Sequence, residues 1–534
     1  MKKNIISLIV DVVIMSVFYY LVLPPINIQA PEFWVFMGIA LGIYGIVNLF
    51  LSANQSSYRI SRANRELDVP KSVLIPFAMI AVIVCSILLI NLVCSPLFNA
   101  KSYSKRITID ETGEFSSDIK EVDFNSLPLL DRSSSEKLGD RVMGQMSELV
   151  SQYYVSSQYT QINYNNDIVR VTPLEYADFI KWFSNRKGGV KGYITVNSVN
   201  GESKLGKIDK GMKYMPSAHF NENLHRKLRF SYPTAIFGTA KFEIDNEGNP
   251  FFIVPTYSYT AVGLKTKVSG VIIFDPITGK SKKYSVGKVP AWVDNAYNAD
   301  LIIEQVDDWG NYRGGFFNSI FGQKNVVNTT EGYNYLAMND DIYLYTGITS
   351  VVSDESNLGF ILSNMRTGET TFYSVPGAEE YSAMSSAEGQ VRQMKYESTF
   401  PLLINLNNKP TYLVSLKDAA GLVKMYGFID VTDYQKVVVT DASKGIVNAS
   451  INYLNNYADE VSDDILEKKT ITIKNITSAI KSGNSYYYIT DTTGKKYIAS
   501  IELSDNFPFL SSGDKLDIGY YESKKEIINI TKIY

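Results

Sequence analysis

The sequence predicts an α+β membrane protein with three N-terminal transmembrane helices, about four helix-plus-antiparallel-sheet modules and a small C-terminal all-β barrel. Three observations lead there. Three apolar runs open the chain, one glycine-to-turn pattern recurs four times after residue 190, and five short alternating runs close it. At 534 residues the chain exceeds what a single core serves, so several units are expected.

The apolar runs cover residues 5–23, 33–51 and 73–98. Each reaches the ~20 residues that a helix needs to cross ~30 Å of hydrocarbon. Lys2 and Lys3 ahead of the first run resemble the start of a signal peptide. However, Ile28-Gln29-Ala30 lacks the small-x-small cleavage pattern, Pro31 follows it, and two more spans come after. Residues 1–98 therefore read as a three-span membrane domain. Lys2 and Lys3 precede span one, and Arg59, Arg62, Arg65 and Lys71 fill the loop between spans two and three. The short 24–32 loop has no positive charge. The positive-inside rule then puts the N-terminus in the cytoplasm and everything after span three outside, as in a bacterial envelope protein. Lys101, Lys105 and Arg106 oppose this weakly.

Two features mark the spans. Gly38 and Gly42, with Gly45 beyond them, make a smooth face suited to helix packing. Asp11 is the only carboxylate inside a span, which raises proton or ion handling as a function. Asn48 lies near the same end of span two, so an Asp11–Asn48 hydrogen bond between helices is the simpler expectation.

Beyond the spans, residues 99–133 read as a polar linker with a strand-like piece at 107–109. A helix is expected from Ser135, because Leu138, Val142, Met146, Leu149 and Tyr153 recur at spacings of three and four. Thr172-Pro173-Leu174-Glu175 has the form of a capping box. It predicts a second helix with Tyr176, Phe179, Ile180 and Phe183 on one face and Gly188-Gly189 at its end. Further helix-like stretches lie at 221–229, 289–306 and 378–396. The stretch at 289–306 opens with Trp292, expected in a core, and is followed by a loop at 307–317.

Four segments then place glycine before a hydrophobic strand and a turn: 192–201, 270–279, 359–368 and 427–436. Three carry Asn197, Asp275 or Asn364 five residues after the glycine, and Gly201, Gly279 or Gly368 four residues further on. Such Asp/Asn side chains accept from backbone amides ahead of them, and glycine tolerates positive φ, so the pattern specifies hairpin turns. The fourth copy has Thr432 at the Asp/Asn position. An upstream strand opened by polar residues precedes each glycine. These signals divide the outer region into modules at 134–241, 242–335, 336–403 and 404–466.

Ile273-Phe274-Asp275-Pro276-Ile277-Thr278-Gly279-Lys280, after a helix and a strand, resembles the hairpin of PepSY-type domains. The resemblance implies small helix-plus-sheet modules outside a bacterial membrane, a family associated with peptidase regulation and envelope roles. Residues 467–534 alternate in runs near 469–478, 484–490, 495–502, 515–521 and 525–533, which resembles a small barrel of the OB type. Tyr486, Tyr487 and Tyr488 lie on one such run, but neighbouring strand residues face opposite ways, which limits base stacking.

Composition excludes several functions. The chain has 52 Lys and Arg against 55 Asp and Glu, a net charge of −3, which argues against a polyanion such as nucleic acid as its main ligand. Its two cysteines, Cys85 and Cys94, share one apolar run, so no disulfide framework or outer thiol site exists. Its two histidines, His219 and His225, are six apart, not the four of a metal pair on one helical face. Gly279-Lys280-Ser281 ends like a phosphate-binding loop, but Phe274 stands where the first glycine belongs. Moreover, Lys280 occupies a slot that is glutamate at Glu202 and Glu369. Asp491-Thr492-Thr493-Gly494 carries an inserted residue relative to an Asp-Thr-Gly protease motif and has no second copy. No motif marks a nucleophile, cofactor or metal site.

The candidate contact residues are Trp309, Tyr312, Arg313, Phe316 and Phe317, where aromatics and Arg cluster among glycines as they do at interface hot spots. The expectation is a non-enzymatic, membrane-anchored protein without a cofactor. Its large extracytoplasmic region would bind or scaffold membrane or envelope proteins, with membrane lipid around the spans and a homo-oligomer open. The alternatives are a carboxylate-dependent envelope hydrolase and an accessory subunit of a transport complex.

Overall fold

A computed structural model describes residues 2–53, 71–124, 127–145, 147–165, 167–338, 340–351, 353–457, 466–481, 484–520 and 527–534. The helices α1 (Lys2–Val22), α2 (Pro31–Ala53) and α3 (Lys71–Val93) are long and apolar enough to cross a membrane. The third apolar run does not continue to residue 98 as one helix. Pro96 lacks an N–H and opens a separate helix, α4 (Pro96–Tyr103), behind the extended Ser95. Gly45, rather than Gly38 or Gly42, lies against α3. A Cβ there would sit 3.1 Å from the Phe77 ring, while the other two face open space. Asn48 takes Ser7 instead of Asp11 as its partner, accepting its hydroxyl at 3.0 Å. Asp11 follows one turn later, buried, with its Oδ1 unpartnered.

The expected linker is part of the folded body. β1 (Ile109–Gly113) pairs in parallel with the strand Thr370–Tyr373, and α5 (Phe115–Asp118) follows. Glu121 bridges to Asn405, and Phe115, Ile119, Phe124 and Leu127 are buried in a core shared with residues 336–454. Phe115, Ile119, Val122, Phe124 and Leu127 are spaced four, three, two and three apart, which holds no single period, so the sequence does not reveal this wedge.

The first unit begins with α6 (Arg132–Gly144), whose cap is Asp131, accepting from the Ser134 amide at 3.0 Å. α7 (Ser147–Val150) ends the helical stretch early, and Tyr153 starts β2 (Tyr153–Val155). β3 (Thr160–Tyr164) and β4 (Asp167–Tyr176) come next. Thr172–Glu175 is thus strand, not capping box. Residues 168–176 are all buried, and β-branched Val169, Val171 and Thr172 favour a doubly covered strand. The helix starts later, as α8 (Phe179–Asn185), with Asp178 as its cap. β5 (Val190–Asn197) and β6 (Ser203–Met212) complete the sheet.

The second unit runs α9 (Leu224–Ser231), β7 (Ile236–Phe237), β8 (Lys241–Ile244), β9 (Pro250–Tyr259), β10 (Thr266–Phe274) and β11 (Ser281–Tyr284). The third runs α10 (Ala299–Tyr312), β12 (Val327–Thr329), β13 (Asn334–Met338), β14 (Asp341–Ser350), β15 (Ser353–Asn364) and β16 (Thr370–Tyr373), with β17 (Gly377–Ala378) added on β15. The fourth runs α11 (Glu380–Gln390), β18 (Glu397–Ser398), β19 (Leu402–Leu406), β20 (Lys409–Lys417), β21 (Val423–Asp430) and β22 (Val437–Asp441). One pairing scheme recurs in all four. The two strands after the helix pair with opposite ends of the long third strand, and the fourth and fifth follow antiparallel. The expected limits at 241/242, 335/336 and 403/404 each cut the second strand of a sheet, because the helix and strand before them belong to that same sheet.

Residues 289–298 are not helical. The amides of Asp294 and Asn295 donate to Glu243, and Asn298 caps α10 from outside. Trp292 is half-buried, its ring tilted against that of Phe251 at 5.0 Å. The hairpin turns follow the Asp/Asn rule. Asp275 Oδ1 accepts from the amides of Ile277 and Thr278, Asn197 and Asn364 do the same, and Gly279 has φ +73°. In the fourth turn the cap is Asp430, two residues before Thr432, and its loop is one residue longer.

After α12 (Ile446–Tyr457) comes a sheet of β23 (Glu467–Lys481), β24 (Asn484–Asp491), β25 (Lys496–Ser500), β26 (Lys515–Tyr520), β27 (Ile527–Asn529) and β28 (Lys532–Ile533). Its order is β27-β25-β24-β23-β26-β28, with β25 and β27 parallel. Both ends are therefore carried by the last run of chain, which crosses between them where the amides of Ile530 and Thr531 donate to Ile498 and Gly519.

Candidate functional site: a cleft shared by four sheets

The recurrence of the sheets places one piece of chain in four equivalent positions, the link between first and second strands. Residues 158–161, 239–241, 333–335, 398–400 and 402 lie in these links or at the strand ends beside them, and with 128–133 and 136 they line a cavity of about 850 Å³.

Its polar groups fall into two sets. One set is paired. Lys417 Nζ lies 2.6 Å from Asp131 Oδ2, and Arg132 Nε lies 3.0 Å from Glu136 Oε1. Burial works against the Asp131 carboxylate, yet Lys417 and Ser134 hold it down at about 2. The other set is not paired. Arg170 on β4 is 7% exposed, and its Nε has no hydrogen-bond partner. Gln161 Nε2 and the Tyr159 hydroxyl, both buried in the same wall, also lack partners. Burial pushes the Arg170 guanidinium down to about 10. An unmet donor inside a protein forfeits ~1–3 kcal/mol of hydration, more for a charged one, so these groups favour a ligand that accepts from them.

Behind them lies Lys241, which donates to the Tyr297 carbonyl at 3.1 Å and to Asn295 Oδ1 at 3.3 Å. Burial pushes its amine down to about 8, with Glu243 resisting. Glu243 is fully buried and pushed up to about 7, and burial together with Glu243 raises Asp294 as well. These two acids are the carboxylates that sequence alone does not single out. Each Glu243 oxygen already accepts a backbone amide at 3.0 Å, and Asp294 Oδ2 accepts the Asn163 amide at 2.8 Å. They brace the wall and do not face the cavity. The unpartnered donors are themselves buried in the wall, the Tyr159 hydroxyl against Gly139 of α6. Among the described residues no group of three His, Cys, Asp or Glu could hold a metal ion.

The residues singled out by sequence lie elsewhere. Trp309 and Tyr312 are on α10, with Trp309 packed against its core and the Arg313 guanidinium 4.6 Å over its ring. Arg313 also donates to the Asn325 carbonyl, and Phe316 and Phe317 follow in the turn after α10. None lines the cleft. The missed residues had one available signal, a lone cation inside an apolar strand: Arg170 in Ile168-Val-Arg-Val-Thr172, and Lys241 ahead of Phe242-Glu-Ile244.

A second set of contacts joins the sheet units to the ends of the three long apolar helices. The amide of Ile26 donates to the Pro233 carbonyl, and Asn27 Nδ2 donates to the Thr234 carbonyl. Asn91 exchanges two hydrogen bonds with Val262, and Arg229 Nε donates to the Leu23 carbonyl at 3.0 Å. Arg106, one of the cations against the positive-inside reading, is consumed in pairs with Asp308 and Glu304 of α10. Compared with known proteins, the chain matches no family model and no curated sequence.

Proposed function

We propose that this is a non-enzymatic, membrane-anchored protein whose outer region lies outside the membrane and binds an acidic segment of a membrane or envelope protein in the four-sheet cleft. The observation carrying this reading is the wall of buried, unpartnered donors, Arg170, Gln161 and Tyr159, at the one place where four like loops meet. An acidic side chain supplies the acceptors they lack. The side of the membrane is supported by the docking of the 24–32 loop and the end of α3 on one sheet, which puts that loop and the outer units together. The lack of positive charge in that loop then assigns the face. The recurring pairing scheme supports four PepSY-like modules, and the crossing last run supports an OB-like barrel.

Titration of the full chain in nanodiscs with polyglutamate and polyglutamine tests the proposal. Polyglutamate should bind more tightly, and Arg170→Met should weaken it at least tenfold, as for a lost charge-assisted hydrogen bond of about 1.5–3 kcal/mol. Equal binding of the two peptides, or no effect of the substitution, would overturn the cleft assignment. Protease added outside intact cells should remove the region beyond α4, and its protection there would overturn the orientation.

The transport-subunit reading has one observation of its own, the unpartnered Asp11 Oδ1. Under the binding proposal, Asp11→Asn should leave polyglutamate affinity unchanged. A change would instead tie the spans to the cleft.

A further inference from the structure

Two clusters of large apolar side chains stand exposed on the outer units, and both are tied directly to the ends of the membrane spans. The first is on the first unit. Phe179, Ile180, Phe183 and Phe220 are 47%, 68%, 57% and 55% exposed. Their rings form one group, with Phe179 6.3 Å from both Phe183 and Phe220. The link to span one is a single side chain. Arg226 donates to the Phe220 carbonyl at 2.7 Å and to the Tyr20 carbonyl at 3.4 Å, and its guanidinium lies 4.3 Å over the Tyr20 ring.

The second cluster follows α10 on the third unit. Phe317, Ile320 and Phe321 are 66%, 49% and 79% exposed, with Phe317 stacked 6.5 Å from Phe321. Its link is to span three. The Tyr103 hydroxyl donates to the Cys94 carbonyl at 2.7 Å, and the Tyr103 ring meets Tyr312, the last residue of α10, at 6.1 Å. The second unit, which is hydrogen-bonded to the 24–32 loop, lies between the two in the chain.

Contiguous apolar surface of this size on an outer domain calls for a cover. Both clusters lie within a side chain or two of the residues at which the spans leave the hydrocarbon, so the cover nearest to hand is lipid. Their rims suit it. Arg186 lies 4.8 Å over the Phe183 ring with Lys187 beside it, and Lys324 follows Phe321 closely. Aromatics with basic neighbours are the composition of the interfacial belt, where rings sit at headgroup depth and long cations reach back to phosphate.

We infer that these clusters are two membrane-embedded wedges that seat the outer region on the lipid surface beside its own spans. The anchor then has five points of attachment, three spans and two wedges. The outer body cannot swing freely on the 94–106 segment, and its cleft is held at a set height above the membrane. This also gives the Phe316–Phe317 turn a lipid contact in place of a protein one.

The test uses full-length protein in nanodiscs, with tryptophan placed by Ile180→Trp, by Phe321→Trp and, as an exposed reference on the fourth unit, by Leu422→Trp. Both cluster variants should lose most of the added emission when brominated lipid replaces ordinary lipid, and resist iodide in the aqueous phase. The reference should do the reverse. If iodide reaches either cluster variant as freely as the reference, the wedges are overturned, and a protein partner becomes the occupant to seek there.

Discussion

Gly310→Ala should destabilise the third unit, although helix propensity alone predicts the opposite. Glycine inside a helix is ~1 kcal/mol worse than alanine, so an exposed position would gain from the change. Gly310 is not exposed. It continues the buried face of Ala299, Ile302 and Val306 on α10, at the place where that helix crosses β12. A Cβ built there overlaps the Val327 carbonyl oxygen, which is backbone and cannot turn aside. Overpacking of this kind costs ~1–3 kcal/mol and occasionally more, which exceeds the gain in propensity. Gly310→Val should cost more again. Hydrogen exchange across residues 299–312 in nanodiscs reads the effect locally, and slower exchange in the alanine variant would refute the close crossing. The consequence reaches the anchor, because α10 also carries Glu304 and Asp308, which pair with Arg106 and Lys265. A loosened α10 should expose the chain after α4 to protease.

That helix shows where sequence reasoning succeeds and fails here. The three long apolar helices are legible because about 20 consecutive apolar residues, the length that crosses hydrocarbon, stand out in any sequence. The hairpin turns are legible because Asn197, Asp275 and Asn364 serve their own amides, a local device that needs no tertiary context. Thr432 misleads for the same reason. In the fourth copy the cap is Asp430, three residues after its glycine and not five, and the loop it closes is one residue longer. Thr172-Pro-Leu-Glu175 has capping chemistry in the wrong place. Burial on both faces decided its conformation, and burial is a property of the whole sheet. The cleft was hidden more deeply. Arg170, Gln161 and Lys241 come from two units, and their common wall exists only once four sheets have packed. What the sequence does hold is the oddity of a cation in a strand of β-branched residues, a sign that the site has a use for it.

Lys241→Met should be the most costly change in the cleft wall, and its cost should depend on pH. The amine is buried, with Glu243 and Asp300 resisting the fall in its pKa. Methionine keeps the length and removes the only cation among these three. Glu243 acts on the amine through its charge and not as a contact partner, so the loss should stay below the ~3–5 kcal/mol of a broken buried salt bridge, whose survivor keeps its desolvation without its attraction. In the wild type, Glu243 is raised from 4.5 to about 7, so the folded state binds more protons than the unfolded across that window. Stability from this group therefore falls as pH rises from about 4.5 to 7. Lys241 is lowered from 10.5 to about 8, so the unfolded state binds more protons there, and stability recovers as pH rises through that second window. In the methionine variant the second window disappears and the first deepens, since Glu243 holds its proton to higher pH. Thermal unfolding of the full chain should show a large loss at pH 8 and a small one at pH 5. Lys241→Met combined with Glu243→Gln should recover most of the loss and flatten the slope. Equal losses at the two pH values would mean that Lys241 acts only through its hydrogen bonds to Tyr297 and Asn295. The acids would then stand apart from it, and the positive potential in the cleft would rest on Arg170 alone.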